Sequence, residues 1–272
     1  MKVLHSIFHW IWYIIACPFV AFVFFFSMLR LMSFARKYRK NPKKYFLDTR
    51  YHFVYKRCKQ LFWLKHIKVK TNGTAKLSNS PCLLVYNHKS NVDALVLFKL
   101  LYEHKLNANP DFKLTFVAKT ELKEKRNVIT DVLDLVDAIY IDRKDLRQQF
   151  RMFEKQNEMV KDKFTVLIAP EGTRNKNDEF GEYKAGALKL AFHNMIPIQP
   201  AVIWGSQGSL FESKVKKVSK TICVTFLSYK KPLDFHSHNI EWISSELRLE
   251  MYKEYLRINS KMVENKDPYS DN

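Results

Sequence analysis

Short apolar runs alternate with helix-length amphipathic stretches along most of this 272-residue chain, and no other feature restricts its fold more. The runs are IKVK (67–70), CLLVY (82–86), LTFVA (114–118), AIYI (138–141), TVLIA (165–169), IQPAVI (198–203) and ICVTFL (222–227). Each has the length of a strand buried on both faces. Helical periodicity fits residues 91–103, 121–135, 145–162, 184–194 and 240–263. Strands alternating with helices predict an α/β domain whose mainly parallel sheet is covered by helices. A further amphipathic helix over 46–65 leads into it, so the domain is expected over 46–263. The polar residues 264–272 follow as a loose tail.

Residues 1–45 read differently. From Ile7 to Leu29 the chain is apolar or aromatic apart from His9 and Ser27, about long enough to cross a ~30 Å hydrocarbon core as a helix. Trp10, Trp12 and Tyr13 suit one interface. The other flank carries Arg30, Arg36, Lys37, Arg39, Lys40, Lys43 and Lys44, and Asp48 is the only acid before Asp93. This flank is expected to face water as a cationic collar, keeping the following domain cytoplasmic by the positive-inside tendency. A cleaved signal peptide fits poorly, because the stretch is too long and Ser33-Phe34-Ala35 is a weak cleavage site. Pro18 leaves two geometries open: a kinked span, or a helix pair half-sunk in one leaflet.

The charge agrees. Lys and Arg number 46 against 27 Asp and Glu, a formal +19, which calls for a polyanionic partner. No nucleic-acid recognition module is present, and an apolar anchor beside a basic stripe directs that charge to anionic lipid headgroups. Cys17, Cys58, Cys82 and Cys223 form no CxxC pair, so neither zinc nor a disulfide framework is signalled.

Four of the strand candidates end in polar clusters. CLLVY runs into Asn87-His88, LTFVA into Lys119-Thr120-Glu121, AIYI into Asp142-Arg143, and TVLIA into Pro170-Glu171-Gly172-Thr173-Arg174. In a parallel sheet the carboxyl ends of strands share one edge, where α/β proteins build their crevices. The stretch VYNHKSNVDAL also places His88 five residues before Asp93. The spacing alone leaves two readings. Ser90 can cap a helix with Asp93 completing a capping box, or His88 in the loop can meet Asp93 in the first turn.

These blocks resemble the 1-acyl-sn-glycerol-3-phosphate acyltransferases of the glycerolipid acyltransferase family. NHKSNVD carries that family's His-x4-Asp; AIYIDR, APEGTR and IPIQPAVI (196–203) match three further blocks in order, and KTEL (119–122) and YKAGA (183–187) match patterns between them. The likeness covers residues 65–205. Two departures, Ala169 in place of an aromatic residue and Asp137-Ala138 in place of a Gly-containing pair, concern packing near the site.

The resemblance implies the glycerolipid acyltransferase fold, a phosphate-bearing acceptor (lysophosphatidic acid) and an acyl carrier such as coenzyme A or acyl carrier protein, or acyl phosphate. No metal or other cofactor is expected. An alcohol is too weak an acid to attack an activated acyl group unaided, so a positioned base is needed, and histidine titrates in the right range. Asp93 would orient its ring and stabilise the imidazolium, as the carboxylate of a serine-hydrolase triad does. No Gly-x-Ser-x-Gly elbow is present, which favours direct attack over an acyl-enzyme. Arg174 with Gly172 leads for the phosphate, with Thr173 beside them; Arg143 and Lys184 come second and Lys119 third. Glu171 is assigned to orienting Arg174 or nearby backbone. The alternatives are acylation of glycerol 3-phosphate or another lysolipid and, more distantly, a non-catalytic adaptor binding anionic lipid.

Overall fold

A computed structural model of the chain describes residues 2–78, 81–125, 127–142, 145–175, 179–208 and 220–270; for 2–18, 20, 21 and 146 only the backbone is described. Seven strands lie among them: β1 (Lys68–Asn72), β2 (Leu83–Tyr86), β3 (Lys113–Lys119), β4 (Ile139–Ile141), β5 (Phe164–Ile168), β6 (Ile198–Trp204) and β7 (Thr221–Phe226). They form one sheet in the order β1-β7-β6-β2-β5-β3-β4. The five strands from β6 to β4 are mutually parallel. β7 runs antiparallel to β6 and β1 parallel to β7, so this edge pair points the other way. The sheet is thus mainly parallel, as the alternation of elements predicts.

The helices are α1 (Lys2–Lys40), α2 (Leu47–Leu64), α3 (Val92–Asn107), α4 (Thr120–Glu124), α5 (Val128–Leu135), α6 (Leu146–Lys161), α7 (Lys189–Asn194), α8 (Pro232–Phe235) and α9 (Ile240–Val263). The helix expected over 121–135 is two helices. Asn127 breaks it: its side chain accepts the Thr130 N–H at 3.1 Å and the Thr130 hydroxyl faces the Asn127 N–H at 3.5 Å, a capping box that starts α5 afresh. Over 184–194 the first turn is 3₁₀.

Alternation along β2 sends successive side chains to opposite faces. Leu84 and Tyr86 join one core with Tyr51, Phe98 and Leu101 from α2 and α3, whereas Leu83 and Val85 join the other with Leu188, Leu247 and Met251. All four β2 residues are buried, which is why its sequence is continuously apolar rather than alternating.

α1 is helical through Pro18 to Lys40. Its C-terminal part packs on the domain: Leu31 and Ala35 are fully buried in the first core. The collar needs correction at one position. Arg39 is no bare surface cation, since its Nη1 lies 2.8 Å from carboxylate oxygens of both Asp131 and Asp134 on α5. Beside it, Arg50 donates to the Leu135 carbonyl (2.9 Å) and to Asp137 (2.8 Å), which also accepts from the Tyr38 hydroxyl. Acids far along the chain have come to these cations. Among the described residues no helix is long and apolar enough to cross a membrane. Most of the stretch 7–29 expected to span falls on positions whose side chains lie outside the described residues, so the spanning helix has no support from the fold.

Candidate active site

β2 ends at Tyr86, and Asn87 continues its pairing with a side chain. The fully buried Asn87 amide donates to the Ile203 carbonyl (2.9 Å) and accepts the Ile203 N–H (2.8 Å), imitating a backbone ladder against β6. The chain can therefore turn at His88 from a fixed point.

His88 in the loop does meet Asp93 in the first turn, and the oxygen that receives it also holds the loop backbone. Asp93 Oδ2 accepts the Lys89 N–H (2.8 Å), the Ser90 N–H (2.8 Å) and His88 Nδ1 (3.0 Å). The capping box expected on Ser90 does not form: α3 starts at Val92 with Asn91 at the cap and no side-chain cap bond, and Asp93 instead holds the backbone just before it, where the Ser90 hydroxyl accepts the Val92 N–H at 3.3 Å. The histidine contact fixes the ring. With Nδ1–H donated to a carboxylate, Nε2 carries the lone pair. Asp93 is fully buried, whereas the His88 side chain is 23% exposed, so the acid holds the ring from below while its outer edge stays reachable.

Glu171 secures the other side. Five per cent exposed, it accepts the His88 N–H on Oε1 (2.9 Å) and the Gly181 N–H on Oε2 (2.9 Å). Both of its oxygens thus rest on backbone N–H groups. The His88 carbonyl accepts the Asn175 N–H at 3.0 Å, so the segment after β5 grips the His88 residue from both ends.

That contact brings Arg174, the neighbour of Asn175, to the same sheet edge as His88, with its side chain exposed. Gly172 makes the turn between them: its N–H donates to the Ala169 carbonyl (3.1 Å) at φ +69°, a conformation few side chains tolerate. Thr173 is exposed. The Lys184 N–H donates to the Pro170 carbonyl (3.0 Å), while its ammonium lies 3.6 Å from Glu182 in solvent. Lys119 ends β3 opposite Ile141 of β4, two strands from β2 and so roughly 10 Å away across the sheet. Arg143 lies outside the described residues.

Burial, reinforced by the Glu171 charge, holds the Tyr183 phenol well above its usual range. The three cysteines among the described side chains are buried. Burial pushes Cys58 and Cys82 up to about 12 and Cys223 to about 11, so each is a thiol rather than a nucleophilic thiolate near neutrality. Below α3 lies an apolar cavity of about 60 Å³, lined by Asn91, Leu95, Phe98, Phe116, Val132 and Val136 among others.

Sequence reasoning left Lys89 and Arg248 unassigned. Lys89 is 3% exposed and donates to the Glu179 carbonyl (2.5 Å); Arg248 of α9 donates to the carbonyls of Phe180 and Gly181. A lysine beside His88 carries no signal of burial, and Arg248 falls in no recognisable block.

Comparison with known proteins agrees on the region. The sequence model of the Acyltransferase family matches residues 67–204. Over 242 residues the chain is 34% identical to a probable 1-acyl-sn-glycerol-3-phosphate acyltransferase of Mycoplasma genitalium, and 31% identical to one of Mycoplasma pneumoniae. Each alignment covers 86% of this chain and 88% of the relative. The crystal structure of the 1-acyl-sn-glycerophosphate (LPA) acyltransferase of Thermotoga maritima shares the fold at a TM-score of 0.61 and 19% identity, covering 95% of this chain and 97% of that one.

Proposed function

The chain belongs to the acyltransferase family, and from that premise we propose that it transfers a fatty acyl group to the 2-hydroxyl of 1-acyl-sn-glycerol 3-phosphate, giving phosphatidic acid. The observation that carries this reading is His88 Nδ1 held 3.0 Å from a fully buried Asp93 carboxylate. Nε2 takes the hydroxyl proton as the oxygen attacks the acyl carbonyl. The ring becomes a cation while Asp93 stays ionised and stabilises it. The tetrahedral intermediate then collapses and expels the carrier of the acyl group, to which the proton returns. The raised thiols of the described cysteines favour this direct route over an acyl-enzyme.

Arg174 binds the acceptor phosphate through its guanidinium fork, with Gly172 and Thr173 shaping the turn. Lys184 and Lys119 extend the positive field of that edge, and Arg143 is assigned to the same phosphate from its place in the sequence alone. Coenzyme A, acyl carrier protein or phosphate carries the donor acyl group, and no other cofactor takes part.

The protein works at a membrane, with the α/β domain on the cytoplasmic side. Phe19, Phe22, Phe25, Phe26 and Leu29 of α1 are exposed, whereas Leu31 and Ala35 are buried against the domain. Arg36, Lys37, Lys40, Lys43 and Lys44 stand exposed beyond them. This pattern supports an aromatic surface entering the apolar layer with a basic rim on anionic headgroups. The deciding assay offers lysophosphatidate and glycerol 3-phosphate as competing acceptors to the wild type and to His88→Ala. Acylation of lysophosphatidate by the wild type alone is expected; preference for glycerol 3-phosphate would overturn the acceptor, and an active His88→Ala the mechanism.

A further inference from the structure

The carboxylate that steadies His88 is itself held from outside the stretch matched by the family. Glu171 Oε2 takes the Gly181 N–H, and the Gly181 carbonyl accepts Arg248 Nε at 2.8 Å; the Phe180 carbonyl accepts Arg248 Nη2 at 2.7 Å. Arg248 projects from α9, beyond the match over 67–204. Lys89 Nζ reaches the neighbouring Glu179 carbonyl at 2.5 Å, lying over the rings of Phe180 (5.3 Å) and Tyr255 (5.5 Å). Three successive carbonyls, 179 to 181, thus each accept from a cation.

Residues 179–181 lie in no helix or strand, so their backbone groups need partners from elsewhere. Water would satisfy a surface loop at little cost in order. Here two long side chains are immobilised instead, one of them buried, which gives up conformational entropy and yields a fixed geometry in return. The fit around Gly181 is close: a Cβ there would lie 3.2 Å from Glu171 Oε2. Arginine suits the task because its planar fork engages both carbonyls at once, setting their separation and direction, where an ammonium sets only a distance.

We propose that Arg248, aided by Lys89, is a positioning residue for acyl transfer. It acts through the Gly181 backbone and the Glu171 carboxylate to set the place of His88, so that α9 governs the catalytic base from beyond the stretch that the family model matches. The proposal rests on the reading of His88 as that base.

The test compares Arg248→Ala, Arg248→Lys, Glu171→Gln and the Arg248→Ala/Glu171→Gln double variant in detergent, with the exposed Lys253→Ala as the control on α9. Small displacements of a reacting group are costly, so Arg248→Ala is expected to lower kcat roughly 10- to 100-fold with the KM for lysophosphatidate within about threefold. Because both residues act in one chain, Arg248→Ala in the Glu171→Gln background should cost no more than about threefold further. Arg248→Lys should recover part of the loss; if Arg248→Ala does not fold, a loss of about threefold or more for Arg248→Lys at an unchanged melting temperature carries the point. Independent multiplicative losses in the double variant, or wild-type kcat for Arg248→Lys together with Arg248→Ala, would overturn it. Amide hydrogen exchange reads the same linkage without activity. Arg248→Ala should speed exchange both at 179–183 and at 86–90, and Lys253→Ala at neither. Faster exchange at 179–183 alone breaks the proposed linkage. A wild type that acylates no lysophosphatidate defeats the functional reading instead, and exchange still decides the linkage.

Discussion

Asp93→Asn separates the two duties that meet at one oxygen. Oδ2 accepts three N–H groups at 2.8–3.0 Å in a fully buried setting, and Oδ1 is buried with no hydrogen-bond partner among the described residues. Asparagine can set its amide oxygen in the place of Oδ2 and keep all three acceptances without the charge, which leaves its –NH₂ at the unpartnered position. Weaker backbone bonds and a buried donor without acceptor cost about 1–2 kcal/mol, the lower desolvation of a neutral amide offsetting part. Catalysis loses more. When the hydroxyl proton reaches Nε2, the ring becomes a cation 3.0 Å from the carboxylate. At an effective dielectric of about 20, unit charges at that separation attract by roughly 5 kcal/mol. The His88 side chain is 23% exposed, so water screens a share, leaving about 3–4 kcal/mol of imidazolium stabilisation to lose. That corresponds to a fall in kcat of about 10²–10³-fold. The assay is steady-state acyl transfer to lysophosphatidate in detergent, with the folded fraction set by thermal unfolding. A folded Asp93→Asn enzyme within about threefold of wild-type kcat would refute the reasoning and reduce Asp93 to holding the loop backbone.

Losing a charge-assisted phosphate contact from the exposed Arg174 should cost about 1.5–3 kcal/mol, so Arg174→Ala should raise the KM for lysophosphatidate, leave the donor's KM nearly unchanged, and be partly rescued by Arg174→Lys; a rise in the donor's KM instead would move Arg174 to the carrier site. Gly181→Ala sets a methyl 3.2 Å from Glu171 Oε2 and should lower kcat about tenfold by displacing the carboxylate, with little change in melting temperature; a wild-type kcat would mean that the carboxylate yields freely. Substituting Phe22, Phe25 and Phe26 by Ser should abolish binding to anionic vesicles at any salt, whereas neutralising Lys37, Lys40 and Lys43 should weaken it only at low salt, with detergent activity kept in both; vesicle flotation distinguishes them. Arg50→Ala strands the Leu135 carbonyl and takes the cation from Asp137, which keeps the Tyr38 hydroxyl, and should destabilise by about 2–3 kcal/mol in denaturant unfolding, that bond and the 23% exposure of Asp137 reducing the full cost of a broken buried pair.

Strands are legible in this chain because burial on both faces demands a local excess of apolar residues, as in Leu83 to Tyr86, and that excess is a property of consecutive positions. The blocks that end those strands were legible for the same reason: a parallel sheet puts His88, Lys119 and Glu171–Arg174 along one edge before any side chain is placed. What spacing could not say is which oxygen of Asp93 would serve, or that one oxygen would hold both the loop backbone at 89–90 and the histidine. The Asn127 break in the expected 121–135 helix was locally encoded, but its capping signal was weaker than the apolar period running through it. Other features were decided only by tertiary packing. Arg39 counted as one more collar charge until α5 brought Asp131 and Asp134 to it, and Asn87 stood as one polar residue at a strand's end until β6 lay alongside. Arg248 became part of the site because α9 crosses the face of the sheet beneath Gly181. Periodicity and caps act over a few residues and are written in order along the chain. Ion pairs and hydrogen bonds between distant segments depend on which surfaces the core brings together, and the partners carry no mark of one another until it forms.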